Sequence, residues 1–321
     1  MKSIVRHNLV LMRLARGAVY DFTRFSNYAA IAPRFKNQSQ FDAILVKEYH
    51  KVEKGLSLPS PRRFFGQPVL RKVLRMLDSE YGRASAFRDA ALGSIAAYVK
   101  FHEQLEPPEG SAGLLKALGD LRGAWQGTEE RGGVQTVRKA DITRDGEIDF
   151  GKFVRSRHSV REFEPGVIPI STFEQCVTEA MYAPSVCNRQ SARCYLIQDK
   201  SVIDRALALQ NGNRGFSDQI ENLVIVTSDL SAFNTSGERY QSWIDGGMFA
   251  MALVFALHSR GIGSCCLNWS QNPDADKALR ARMPIADADN VIMYIAVGEL
   301  RDEFEVCRSM RKPLTEVLKE I

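Results

Sequence analysis

The stretch Arg155-Ser-Arg-His-Ser-Val-Arg161-Glu-Phe163 packs three guanidiniums, a histidine and two hydroxyls into its first seven residues. It closes a short helical pattern, Asp149-Phe-Gly-Lys-Phe-Val-Arg155, at the middle of a 321-residue chain. Arginine forms bidentate, charge-assisted bonds to phosphate, and serine hydroxyls add short neutral donors. Such a cluster suits a dianion. Alone it has a second reading, a solvated basic turn, so its neighbours decide.

Downstream the texture is one of alternating helices and strands. Ser171-Thr-Phe-Glu174 has the form of a capping box opening an amphipathic helix, with Phe173, Cys176, Val177, Ala180 and Met181 on its apolar stripe. Ala183-Pro-Ser-Val-Cys-Asn-Arg-Gln190 ends that helix in a polar loop. Cys194–Ile197 reads as a strand, 201–209 as a helix, and Leu223-Val-Ile-Val-Thr227 as a buried strand. The longest helix is predicted over 238–260. Its middle, Gly246 to Leu257, is apolar on nearly every face and must be covered all round, inside the domain or in a subunit interface. Ile262–Leu267 is a further strand, Asn272-Pro273 caps a short helix running to Met283, and Val291–Val297 is another buried strand. The tail Cys307-Arg-Ser-Met-Arg-Lys-Pro313 is basic again.

Upstream the chain reads as all-helical. Residues 3–30 form a basic amphipathic pattern, with Val5, Leu9, Met12, Val19, Phe22 and Phe25 interleaved with Arg6, Arg13, Arg16 and Arg24. The preferred reading is a core or dimer-packing helix with a solvated basic face; peripheral contact of residues 1–31 with an anionic membrane is the second. A helix over Phe41–Lys54 follows, with Gly55 as its expected C-cap. Within it only His50 and Glu53 share a face, a spacing that favours a surface hydrogen bond over a metal ligand set. Further helices are expected over 68–80, with Pro68 in the first turn, 84–105 and 112–125. Residues 126–148 read as a linker, which divides the chain into an extension (1–148) and a second domain (149–321).

The net charge of +5 is unevenly spread. Residues 1–75 hold 15 Lys+Arg against 4 Asp+Glu, whereas residues 151–321 hold 19 against 21. No groove-reading motif accompanies the N-terminal charge, which argues against nucleic acid. The six cysteines show no Cys-x-x-Cys pair or zinc spacing and read as reduced thiols of a cytoplasmic protein. No signal peptide or membrane-length apolar run is visible. The chain also lacks a Walker loop, and no Gly-x-Gly-x-x-Gly follows a strand to open a helix, which excludes the common nucleotide folds. Gly261-Ile-Gly263 alone is a weak signal.

Four motifs in order carry a resemblance. Arg157-His-Ser-Val-Arg161-x-Phe163, Ala183-Pro-Ser-Val-Cys-Asn-Arg-Gln190, Asp245-Gly-Gly-Met-Phe-Ala-Met-Ala-Leu253 and Arg260-Gly-Ile-Gly-Ser264 resemble those of the FMN-dependent nitroreductase family over residues 149–321. The resemblance implies an α+β fold with a central, mainly antiparallel sheet flanked by helices, preceded here by an all-helical region. It implies a homodimer with FMN at each end of the interface. Arg157, Ser159 and Arg161 would then hold the phosphate and ribityl chain, with His158 assisting and Arg308 and Arg311 as a second basic pair. Pro184, Ser185, Asn188 and Gln190 belong to the loop expected from the partner subunit. Asn213 would stand near the pyrimidine edge, and Gly261, Gly263 and Ser264 would line the flavin face.

The implied reaction is ping-pong: NAD(P)H reduces the flavin, which then reduces a small-molecule acceptor. No side-chain nucleophile or metal is called for. Where the family commonly continues Asn-x-Gln-Pro-Trp, this chain has Asn188-Arg-Gln-Ser-Ala192, which alters the loop's pose. The extension, through His50-Lys-Val-Glu-Lys-Gly-Leu56, resembles nitroreductase-like proteins associated with bacterial surface-polysaccharide genes. Two alternatives stay open: a flavin-dependent dehydrogenase or oxidase of a biosynthetic intermediate, and a non-catalytic flavin-binding scaffold docking through the basic N-terminal helix.

Overall fold

The computed structural model describes residues 2–32, 34–125 and 131–320, with the side chains of residues 2–6 outside that description. The expectations for the Val5 and Arg6 side chains and for residues 126–130 of the linker therefore lie outside the described residues.

Strands β1 (Phe163–Glu164), β2 (Ala192–Ile197), β3 (Asn222–Asp229), β4 (Ile262–Asn268) and β5 (Asp289–Leu300) form one antiparallel sheet. The long β5 is central: β4 pairs along one edge, β3 and then β2 lie on the other, and β1 continues β3's side at the end of β5. Side-chain alternation gives the inner strands β3 and β5 two buried faces. Leu223 and Ile225 of β3, with Tyr294 and Ala296 of β5, meet α10 (Lys200–Leu207) and α12 (Pro273–Arg282). Val224, Val226, Ile295 and Val297 face the other way, onto α9 (Ile170–Ala180) and α11 (Gln241–His258). A fold with a mainly antiparallel sheet between helices was the expectation, and this is its form.

Before the sheet come α1 (Lys2–Tyr28), α2 (Gln38–Leu56), α3 (Gln67–Asp78), α4 (Glu80–Ala84), α5 (Arg88–His102), α6 (Ala112–Ala124), α7 (Lys139–Asp145) and α8 (Phe150–Ser156). Helices α2, α3, α5 and α6 enclose their own core, built on Phe41, Leu45, Leu70, Ile95, Tyr98 and Leu118. A smaller cluster ties this body to the sheet domain: Ala43 of α2 packs with Leu230, Ala232 and Phe233, and Phe25, Tyr28 and Val186 lie against them. His50 and Glu53 are hydrogen-bonded to each other at 3.0 Å, and Glu53 also takes bonds from Ser94 Oγ and the Gly133 amide. Among the described residues no helix is long and apolar enough to cross a membrane.

Three local expectations change. Gly55 is not a C-cap: α2 runs past it to a cap at Ser57. A Cβ at Gly55 would stand 2.0 Å from Phe65 Cε2, so the residue is small because an aromatic ring lies on it. The box at Ser171–Glu174 does not form, since α9 starts two residues earlier, with Pro169 in the cap position and no side-chain cap bond. A real capping box stands instead at Thr235–Glu238, just before α11. Finally, the basic face of α1 is solvated only in part: Arg13 and Arg16 are exposed, whereas Arg24 is buried. Arg16 pairs with Asp274, the Tyr20 hydroxyl donates to Asp276 at 2.7 Å, and Arg24 donates to Asn290 Oδ1 and to the carbonyls of Asp287 and Asp289 at 2.7–2.8 Å. The helix turns Arg24 inward and pairs Arg16 at the surface.

Candidate functional site: a basic cleft and a strained loop

The Arg157–Arg161 segment runs beside the free edge of β4. Ser159 makes a parallel bridge to Ser264, and the Val160 amide donates to the Ser264 carbonyl at 3.0 Å. Extended backbone puts successive side chains on opposite faces. Val160 therefore sinks into the core, while Ser159 and Arg161 turn to a cleft of about 690 Å³. The cleft is also lined by Arg155, Arg157, His158, Arg308 and Arg311, with Val154, Met251 and Phe255 as an apolar wall. The C-terminal tail, more than 140 residues away in sequence, thus closes on the cluster; Arg161 reaches Cys307 Sγ at 3.9 Å.

None of Arg155, Arg157, Arg161, Arg308 and Arg311 forms a salt bridge among the described residues, and no carboxylate lines the cleft. Five guanidiniums converging without an acid repel one another unless an anion joins them. Their field reaches their neighbours: beside Arg157 and His158, and above all through its own burial, His258 is held below the ordinary imidazole range.

The second group of expected residues lies elsewhere. Pro184, Ser185 and Gln190 line a cavity of about 240 Å³ with Phe87, Met181, Arg193, Asp245 and Phe249. Between Ser185 and Ser191 the backbone is strained, because Cys187, Asn188 and Gln190 hold φ values of 51°, 53° and 49°. Left-handed backbone costs a non-glycine residue on the order of 1 kcal/mol, so the surroundings must impose it. They do so through side chains. Ser185 Oγ accepts from the Gln190 amide at 3.0 Å, and Asp245 accepts from the Val186 amide at 3.2 Å. The fully buried Arg189 side chain grips Glu238 with two nitrogens and the Ala232 carbonyl at 2.6 Å. Burial pushes the Asp245 carboxyl above the usual range despite its bonds to Gln241 and Val186. Glu238 goes the other way, its burial outweighed by Arg189 and the Asn234 amide.

Helix α11 separates the two cavities. Met251 and Phe255 line the first, Asp245 and Phe249 the second, and at 100° per residue these pairs occupy different faces. Within one chain the two residue sets do not share a cavity. Between them α11 leaves Ile244 and Met251 exposed and Gly247, Met248 and Phe255 half-covered, at helical spacing. The helix expected to be covered all round has one apolar stripe that this chain does not cover.

The remaining expected residues line neither cavity. Asn213 is buried after α10, donating to Ser217 Oγ at 2.8 Å, and its Oδ1 has no partner. Gly261 ends α11 with φ 72°, the left-handed geometry of a residue just past a helix. Gly263 gives room for packing, since a Cβ would lie 2.8 Å from Leu300 Cδ2, and Ser264 is buried beneath the Arg157–Arg161 segment. Sequence reasoning counted Arg155 in the basic cluster but missed Met251, Phe255 and Cys307 on the cleft wall, and the clamp of Arg189 on Glu238. The only signal for the clamp was Thr235-x-x-Glu238, the true capping box.

Comparison with known proteins finds one family model and several similar solved structures. The nitroreductase family model matches residues 154–214 and 208–299. No curated protein matches the chain. Similar solved structures include a nitroreductase family protein from Clostridium difficile 630 (20% identity, 54% of this chain and 98% of that one, TM-score 0.45). Another is a Desulfovibrio desulfuricans protein in complex with FMN (19% identity, 55% and 98%, TM-score 0.45). A third is an FMN-dependent nitroreductase from Clostridium difficile R20291 (17% identity, 49% and 91%, TM-score 0.42). The family match spans Arg155 to Arg161, the strained loop, α11 and the five strands up to Glu299, while Arg308 and Arg311 lie beyond it. Residues 154–299 of this chain are thus similar to the nitroreductase family model.

Proposed function

We propose that the chain is an FMN-dependent oxidoreductase that takes reducing equivalents from NADH or NADPH and delivers them to a small organic acceptor, acting as a homodimer. One observation carries the reading: five guanidiniums without carboxylate partners meet in one cleft beside an apolar wall, in a domain similar to the nitroreductase family model. FMN fits that donor set. Its phosphate is the dianion the arginines lack, and Val154, Met251 and Phe255 offer an apolar surface to a flat ring.

Arg157, Arg161, Arg308 and Arg311 would hold the phosphate, with Ser159 as a neutral donor and His158 at the rim. When bound, FMN supplies the hydride and electron transfer; the protein supplies binding, orientation and charge. The cleft wall holds no carboxylate, so no acidic side chain of the cleft is assigned a proton. The strained loop with Pro184, Ser185, Asn188 and Gln190 would complete the site from a second copy docked on the open stripe of α11. A dimer explains why one chain holds both residue sets on separate faces of one helix.

The test is FMN titration of the flavin-free protein, followed by quenching of flavin fluorescence. Arg157→Ala removes a charge-assisted bond and should weaken binding about 10- to 100-fold. Unchanged affinity in both Arg157→Ala and Arg161→Ala would sink the assignment of this cleft.

A further inference from the structure

Helix α1 is inverted relative to an ordinary surface helix. Arg16, Tyr20 and Arg24 face its own domain, whereas Leu11, Leu14, Ala15, Ala18 and Phe22, at helical spacing, face outward. Leu14 is 64% exposed and Phe22 73%. A monomeric soluble protein rarely leaves so continuous an apolar stripe uncovered.

We infer that α1 is an arm that packs on a second copy of this chain, widening the dimer contact begun by α11; the inference rests on the homodimer proposed above. Two features select this occupant. First, the stripe is continuous with that of α11. Ala18, Phe22 and Phe25 share a groove of about 530 Å³ with Tyr240 and Trp243, and Ile244, the next residue, begins the open α11 stripe. Second, the groove carries one acid and one base, Asp21 and Arg239, neither in a salt bridge among the described residues. A two-fold contact requires a self-complementary patch, and a patch bearing both signs lets Asp21 of each copy meet Arg239 of the other. An anionic bilayer fits less well. The Arg16 and Arg24 cations point away from the stripe and are already held by Asp274, Asn290 and the 287–289 backbone.

The test is sedimentation velocity of the full-length, FMN-loaded protein over a dilution series, with co-sedimentation on phosphatidylglycerol vesicles alongside. The wild type should be a dimer, and Leu14→Glu/Phe22→Glu should raise its dissociation constant about 30-fold or more. Asp21→Arg alone should weaken the dimer, and Asp21→Arg/Arg239→Asp should restore it; this pair decides the matter if the glutamate variant does not fold. Dimers as tight as wild type in all these variants would overturn the arm while leaving the shared flavin site intact. A monomeric wild type that holds FMN fully would overturn both. Vesicle binding that the glutamate variant loses with its dimer unchanged would make the bilayer the occupant and overturn the inference.

Discussion

The two cavities flanking α11 treat charge in opposite ways. Around the strained loop every charge is answered: Arg189 by Glu238 and two carbonyls, Asp245 by the Val186 amide and Gln241. In the basic cleft five guanidiniums find no carboxylate among the described residues. The difference separates two tasks. A buried, fully partnered charge fixes the shape of a backbone that would otherwise relax. A set of like charges on a cleft wall is stable only when an outside group completes it. The first region is built to be held, the second to hold something.

Breaking one partner of the loop clamp should have the largest effect. Arg189→Ala strands Glu238 and the Ala232 carbonyl beside a buried void, and should cost about 3–5 kcal/mol in urea unfolding. Arg157→Ala inverts the pattern. It should cost about 1.5–3 kcal/mol in FMN affinity and nothing measurable in the stability of the flavin-free protein, because no folded-state partner is lost. A comparable unfolding loss in both variants would erase the contrast. Next comes strain: Cys187→Gly relieves a left-handed residue and should change flavin-free stability by about 1 kcal/mol or less, measurable as a shift in melting temperature.

The smallest effect is one of pH. The Glu238 pKa is depressed in the folded state, so its stabilisation is present above the ordinary glutamate value of about 4.3 and is lost as pH falls through the lower, folded one. Melting temperature should therefore fall on acidification below that value, and the fall should be shallower in Glu238→Gln. Parallel acid profiles would detach Glu238 from the stability of the loop.

Legibility followed the range of the interactions. Strands β3 and β5 were readable because runs such as Leu223-Val-Ile-Val-Thr227 are buried on both faces and admit few alternatives. The arginine stretch announced its chemistry, and Arg308 and Arg311 do share its cleft, although that closure is invisible to local pattern. What failed was partner choice at a distance. Gly55 matched a C-cap by its letters, but Phe65 made it a packing residue. The Arg189 clamp needs a glutamate 49 positions on. The partners of α1 were out of reach because periodicity finds an apolar face without saying what covers it; Tyr20 and Arg24 are held by Asp276 and by the 287–290 segment, more than 250 residues on.

Flavin-dependent turnover is tested by the visible spectrum of the FMN-loaded protein under anaerobic conditions, before and after adding NADPH or NADH. The expected flavin absorbance bleaches on addition of at least one of the two and returns when an organic acceptor is supplied. A protein that holds FMN yet stays yellow with both reductants, or one that takes up no FMN at all, would contradict the proposed function.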